Sequence, residues 1–298
     1  MRLLLIRHGE SVDNVAGLYA GSRDSPLTSH GVLQINRLGA HLAKSCDPVA
    51  PIQYIFTSNL RRAYETADAV SKALADTRGL TRGSLSDGAT DTGASLKVIR
   101  LPELRERDYG SSEGKKYRNP NGLVQSDSET HDSMRIRVDR FLDSHLVPIV
   151  DKHVSDNITV AIVAHGIILG VILKALLKRF PKPADTSMRS GNHDKQSEFA
   201  AWSNTGVLQA KLEILSGMSK SDCTGEAVSS VNTVAAGNGS DLHKQTICLT
   251  IEFTNNVDHL VGLKKTRGGI GSTQFDSRQR TMDSFFGPTS KKRKLEDS

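Results

Sequence analysis

The chain of 298 residues is 37% hydrophobic and 24% charged, ordinary proportions for a folded chain of one large or two modest domains. Its net charge of +6 is concentrated at one end: from Lys264 onward nine Lys or Arg face four acids, so the tail carries +5 and the rest only +1, which argues against a nucleic-acid-binding face on the folded part. Three cysteines, Cys46, Cys223 and Cys248, show no CxxC spacing and no apolar run is long enough to cross a bilayer, so a soluble intracellular protein without a disulfide framework, zinc knuckle or membrane contact is expected.

The first element is the apolar run Leu3 to Ile6, read as a short buried strand that ends in Arg7, His8 and Gly9. Gly9 is expected to let backbone approach a ligand closely. A polar loop follows through Pro26, and Thr28 can cap a helix with Ile35, Leu38 and Leu42 at helical spacing. Tyr54 to Thr57 reads as a second strand, leading into a helix with Ala63, Ala67, Val70 and Leu74 on one face. Residues 76 to 95 offer little to bury and read as a flexible insertion, before a third strand from Lys97 to Leu101. Met134, Val138, Phe141, Leu142 and Ile149 mark a long helix expected to bend near Pro148.

Ile158 to Ala164 is nearly continuous in β-branched and small apolar residues, as in a central parallel strand covered on both faces, and Ile167 to Phe180 is helical. Two further strands, Val207 to Leu215 and Thr246 to Thr254, flank a second polar insertion at about 216 to 245. The alternation predicts an α/β fold of three layers, α/β/α, around a mostly parallel sheet.

Two of these strands end in the same way, in a histidine followed by glycine: His8-Gly9 and His165-Gly166. In an open α/β sheet the chemistry gathers at the carboxyl ends of the strands. The second strand leads to Arg61 and Arg62 at the start of a helix, and the third to Leu104-Arg105-Glu106-Arg107-Asp108-Tyr109-Gly110. Two guanidiniums, two imidazoles, an amide and a carboxylate at one sheet edge describe a pocket for a dianion, with a nucleophile and an acid.

On these residues the chain resembles the histidine phosphatase superfamily, the phosphoglycerate mutase-like family, over residues 1 to 263. The matching pieces are RHGESVDN at 7 to 14, DSPLTSHG at 24 to 31, SNLRRAYETA at 58 to 67, LRERDYGSSEG at 104 to 114 and VAHG at 163 to 166. The resemblance implies that His8 attacks phosphorus and becomes phosphohistidine. Arg7, Arg62 and His165 would hold the phosphoryl oxygens, with Asn14 and Gly166 beside them, and Glu106 would protonate the leaving alkoxide. No metal or other cofactor is implied. Charge on the equatorial oxygens of a loose transition state suits such a ring of fixed donors.

Arg61 is the competing candidate for Arg62, and Glu113 reads as structural. Asn59 stands where the family usually has proline. The run RERDYGSSEG differs from the NERHYG-type signature of the glycolytic mutases, which favours a phosphatase over a mutase. By resemblance to another branch, a sugar bisphosphate such as fructose 2,6-bisphosphate is the natural substrate class. Lys115, Lys116 and Arg118 are either a second phosphate contact or a solvated turn. The remaining histidines lack metal-ligand spacing and are expected at the surface or satisfied in the core.

The tail, 264 to 298, shows no pattern of a core and is expected to be disordered. Met282, Phe285 and Phe286 would share one face of a single helical turn, which suits a peptide that folds into a partner's groove. Gln279, Met282, Phe285 and Phe286 resemble the PCNA-interacting (PIP-box) motif at all its anchors, and Lys291, Lys292, Arg293 and Lys294 resemble a nuclear localisation signal. The resemblance implies the PCNA sliding clamp as a partner and the nucleus as location, with the cytoplasm as a second compartment. The contrasting reading is a clamp-recruited scaffold that does no catalysis.

Overall fold

The structure, a computed structural model, describes residues 1–45, 50–82, 96–117, 127–181, 202–215, 246–265 and 270–276. Its elements are β1 (Arg2–Arg7), α1 (Val12–Ala16), α2 (Ser29–Ser45), β2 (Ile52–Ser58), α3 (Arg61–Arg82), β3 (Val98–Leu101), α4 (His131–Phe141), α5 (Val147–His153), β4 (Thr159–Ala164), α6 (Gly166–Arg179), β5 (Val207–Ile214) and β6 (Ile247–Asn256). Six strands form one sheet in the order β3-β2-β4-β1-β5-β6. The first four run parallel, and β5 and β6 are antiparallel additions at one edge.

Side-chain alternation along the central strands makes the three layers. Leu3, Leu5, Val160 and Ile162 face Met134, Val138, Ile168 and Leu169 of α4 and α6. Leu4, Ile6, Ala161 and Val163 face Leu38, Ala67 and Val70 of α2 and α3. Every residue of β4 is buried, as its unbroken apolar run requires. Each fully buried leucine, isoleucine or valine contributes about 1.5–3 kcal/mol relative to exposure.

Register fixes the working edge. Arg7 lies opposite Ala164 across β1 and β4, so His8 and His165 leave the sheet at the same level. His8 N donates to Ala164 O at 3.0 Å. Thr28 caps α2 as expected, accepting from Gly31 N at 2.9 Å through its hydroxyl.

Several expectations need correction. The loop after His8 contains α1, capped by a reciprocal pair of bonds between Ser11 and Asn14. The insertion expected from residue 76 begins later, because α3 runs on to Arg82 and Thr77 bonds back to Ala73 O at 3.0 Å. Polar residues can extend an established helix, since each adds a backbone bond once nucleation is done. Residues 83–95, like the second insertion at 216–245, lie outside the described residues.

The regular α-helix is interrupted one turn before Pro148, by a π-helical turn at Leu142–Leu146 that keeps both leucines buried. Pro148 itself sits in the first turn of α5, where its missing N–H costs nothing. Packing itself requires a glycine at position 9: a Cβ there would come within 2.6 Å of Ile35 Cγ2 and 3.0 Å of Gly31 O.

Some residues beyond 263 also meet the folded part. Lys265 Nζ bonds to Glu10 Oε2, and residues 270–276 pack along the start of α2. Ser29 N donates to Thr273 O at 3.0 Å and Phe275 N to Leu27 O at 3.1 Å. The segment was unreadable as structure because backbone bonds hold it. The PIP-box-like residues Gln279, Met282, Phe285 and Phe286, and the basic run Lys291 to Lys294, lie outside the described residues.

Candidate active site

His8 is 3% exposed, just beyond the end of β1. Its Nδ1 lies 2.6 Å from Gly9 O, and a carbonyl can only accept, so Nδ1 carries the proton and Nε2 keeps its lone pair. Burial, and then the charges of Arg62 and Arg7, hold its pKa well below 6.5. The imidazole is therefore neutral near pH 7, with a free nitrogen for attack.

Arg61 and Arg62 open α3 on opposite sides. Arg61 is solvent-facing and pairs with Glu65 at 2.6 Å, whereas Arg62 is 1% exposed and is the one of the two that lies inside. Carbonyls of the loop after α1 fix the Arg62 fork: Nη2 donates to Gly21 O at 2.9 Å and Nη1 to Arg23 O at 2.6 Å. Arg7 is anchored in the same way, through Nη1 to Trp202 O. The Nε atoms of both are buried without a hydrogen-bond partner among the described residues. Burial lowers both guanidinium pKa values, and the Glu106 carboxylate opposes that.

His165 precedes α6, is 1% exposed, and has no partner at either ring nitrogen among the described residues. Its ring stands 5.0 Å from that of His8 at 60°. Burial, followed by Arg62, His8 and Arg7, depresses its pKa well below 6.5. Buried donors and acceptors without partners are rare, and four of them converge here: two guanidinium Nε atoms and two imidazole nitrogens. The guanidinium N–H groups and the single N–H of a neutral His165 are suited to donate to a tetrahedral group of oxygens.

Glu106 joins this edge from the loop after β3. Its Oε2 accepts from Ile167 N at 3.1 Å, and its Oε1 from Ile168 N at 3.2 Å and Arg107 N at 2.9 Å. The carboxylate thus sits at the positive end of α6, directly after His165. Asp108 and Glu113 are turned elsewhere, the first to Gly110 N at 2.7 Å and the second to Ser22 N at 2.6 Å. Gly166 abuts Arg7, with 3.9 Å between Arg7 Nε and a Cβ placed there, so it adjoins the pocket without being sterically required.

Asn14 accepts at Oδ1 from Ser11 N at 3.2 Å and from Asn204 Nδ2 at 3.1 Å. Tyr117 packs edge-on to Tyr19, which in turn lies against Tyr109. Trp202, Asn204, Thr205 and Tyr117 were missed by sequence reasoning. The Asn204-Thr205-Gly206 turn signal before β5 is where the first three could have been sought.

Other expected features fall into place around the pocket. Glu113 accepts from Ser22 Oγ and from Tyr109 N. Asn59, in the place of the family's proline, accepts from Arg105 Nε at 2.7 Å. Lys115 and Lys116 are exposed, with backbone contacts to Tyr19 and Leu18, while Arg118 lies outside the described residues. No cluster of three metal-ligating side chains occurs among the described residues. A cavity of about 1030 Å³ starts at Gly166, Ile167 and Trp202 and runs along α6 past Lys174 and Lys178 to Arg135, adjoining the pocket.

The comparisons with known proteins agree with this geometry. The family description "Histidine phosphatase superfamily (branch 1)" matches residues 3–83 and 86–194. A probable phosphatase of Schizosaccharomyces pombe is 25% identical over 290 residues, spanning 95% of this chain and 78% of that protein. The sedoheptulose 1,7-bisphosphatase of Saccharomyces cerevisiae is 34% identical over 115 residues, 38% of this chain and 37% of that one. A phosphoserine phosphatase mutant from Entamoeba histolytica has the same fold, with a TM-score of 0.51 at 18% identity over 87% of this chain and 98% of that chain. With the family pattern matched over most of the chain and its strand-end residues gathered in one pocket, the chain belongs to the histidine phosphatase superfamily, branch 1, and is an enzyme of that phosphatase type.

Proposed function

We propose that the chain hydrolyses a phosphomonoester through a phosphohistidine at His8. The observation that carries this reading is the convergence of a neutral, correctly protonated His8 with unpartnered nitrogens of Arg7, Arg62 and His165. Nε2 of His8 attacks phosphorus as the ester P–O bond breaks, and Glu106 gives its proton to the departing alkoxide. Water then attacks phosphorus, returns a proton to Glu106, and the P–N bond breaks to release phosphate. The arginines, His165 and Asn14 hold the equatorial oxygens throughout, and the charge of the two arginines supplies what a metal ion would otherwise supply.

The substrate in this reading is a small phosphorylated molecule, a sugar bisphosphate of the fructose 2,6-bisphosphate kind. The name of the yeast relative, sedoheptulose 1,7-bisphosphatase, supports a sugar bisphosphate as the class. The chain's departure from the mutase signature at Arg105 to Gly114 favours hydrolysis over return of the phosphoryl group. The tail reading stands on its sequence anchors: Gln279, Met282, Phe285 and Phe286 for the PCNA clamp, and Lys291 to Lys294 for nuclear import.

Hydrolysis of p-nitrophenyl phosphate with EDTA present, and then of a panel of sugar mono- and bisphosphates, tests the catalytic reading. Turnover that survives chelation and fails in His8→Ala supports it, and absence of turnover on every ester favours the scaffold. Binding of a 274–290 peptide to the clamp, lost in Phe285→Ala with Phe286→Ala, tests the tail.

A further inference from the structure

The pocket rests on a bracket of five residues, Trp202 to Gly206, that no part of the motif pattern contains. Trp202 O receives Arg7 Nη1. Thr205 N is shared between Arg7 O at 3.0 Å and His8 O at 3.2 Å, and Arg7 N donates to Gly206 O at 3.2 Å. Asn204 stands at the centre, its Nδ2 lying 3.1 Å from His8 O and 3.1 Å from Asn14 Oδ1.

The chemistry of the partners fixes both amides. His8 O can only accept, so the atom of Asn204 facing it is the NH2 group. Ser11 N can only donate, so the atom of Asn14 facing it is Oδ1. With Ser11 N and Asn204 Nδ2 both on it, the Asn14 oxygen is saturated. The NH2 end of Asn14 is therefore the end left to meet another group.

The bracket is itself held in an unfavourable backbone shape. Thr205 has φ of 58°, a left-handed conformation that a β-branched residue rarely adopts. Its hydroxyl donates to Asn204 O at 2.7 Å, and so accepts from His259 Nε2 at 2.8 Å. The threonine hydroxyl is thus bonded on both sides, to His259 and to the carbonyl of Asn204, which holds Asn204 in place from its C-terminal side.

We propose that Asn204 is a positioning residue of the phosphoryl site, which sets the direction of the Asn14 amide so that Asn14 meets the phosphoryl group as a donor. The inference rests on the phosphatase reading above. It distinguishes two substitutions of Asn204. Asn204→Ala removes the second donor from Asn14 and leaves Ser11 N to hold it. Asn204→Asp keeps the shape but puts acceptors where donors stood, which draws the Asn14 NH2 toward residue 204 and turns its oxygen to the phosphoryl group.

The test is a set of mutant cycles on the full chain, reading kcat/KM on p-nitrophenyl phosphate and inhibition by orthovanadate, with thermal unfolding as a check of folding. Expected is a fall of about 10-fold for Asn204→Ala and about 100-fold for Asn204→Asp, with vanadate inhibition weakened in the same order. In an Asn14→Ala background neither change costs more than about 3-fold further, because residues that act as a unit are not additive. Equal losses for the two variants, or losses that persist undiminished in the Asn14→Ala background, would overturn the proposal in favour of a packing or general electrostatic role. Should Asn204→Asp not fold, the Asn204→Ala cycle decides alone. Absence of turnover and of vanadate binding in the unaltered chain would instead sink the phosphatase reading.

Discussion

The carboxylate of Glu106 accepts the backbone N–H of Ile168 at 3.2 Å, so the group assigned as proton donor sits on the first turn of the helix that His165 precedes. The residues proposed as acid and as phosphoryl-binding imidazole are thereby both tied to the start of α6. Glu106→Gln keeps an oxygen for these donors but cannot release a proton. The expected loss in kcat is about 10²–10⁴-fold for alkyl phosphates, whose leaving groups need protonation, and much smaller for p-nitrophenyl phosphate. A comparison of kcat across leaving groups checks this. Equal losses on both would remove Glu106 as the acid.

Arg62 and Arg61 give a contrast between neighbours. Arg62→Lys retains the charge but cannot span the carbonyls of Gly21 and Arg23 while facing the pocket. A fall of about 10²–10³-fold in kcat/KM is expected, with weaker inhibition by inorganic phosphate. Arg61→Ala breaks only the exposed pair with Glu65, so activity is retained and stability changes by less than about 1 kcal/mol.

The paired strand ends were legible because four apolar residues, Leu3 to Ile6, stop at Arg7-His8-Gly9 and a second apolar run stops at His165-Gly166. Local pattern places such residues on a sheet edge, and parallel register does the rest. Asn204 was not legible, since its meaning depends on Asn14, 190 positions earlier in the chain. The strap after residue 263 escaped notice for another reason. Its attachment runs through backbone atoms of Leu27, Ser29, Thr273 and Phe275, which leave no periodic trace in side chains.

That strap carries a stability prediction. A chain ending at 263 loses the bonds of 270–276 to the start of α2 and the Lys265–Glu10 pair, while a chain ending at 276 retains them. The shorter chain is expected to melt several degrees lower, since each ~1 kcal/mol corresponds to about 2–4 °C in a domain of this size. Calorimetry on the two truncations decides it, and equal melting temperatures would deny the strap a structural role.

His259 makes stability depend on acid. Burial, with His41 adding to it, lowers its pKa from 6.5 to about 4. Between these values the unfolded chain binds a proton that the folded chain refuses, so stability falls as pH drops from about 6.5 to about 4. One such group contributes at most about 1.4 kcal/mol per pH unit. His8 and His165, also depressed, act in the same direction. Urea unfolding across this range should show a shallower pH slope for His259→Gln, and an unchanged slope would remove His259 from the effect.

The most direct measurement is a rapid alkaline quench of the full chain with a phosphorylated donor in the presence of EDTA, followed by peptide mapping of the phosphoryl group. A phosphohistidine formed and consumed at the rate of turnover, located at His8 and absent from His8→Ala, is the predicted result. Turnover with the phosphoryl group on another residue, or undiminished turnover in His8→Ala, would contradict the assignment of His8 as the nucleophile.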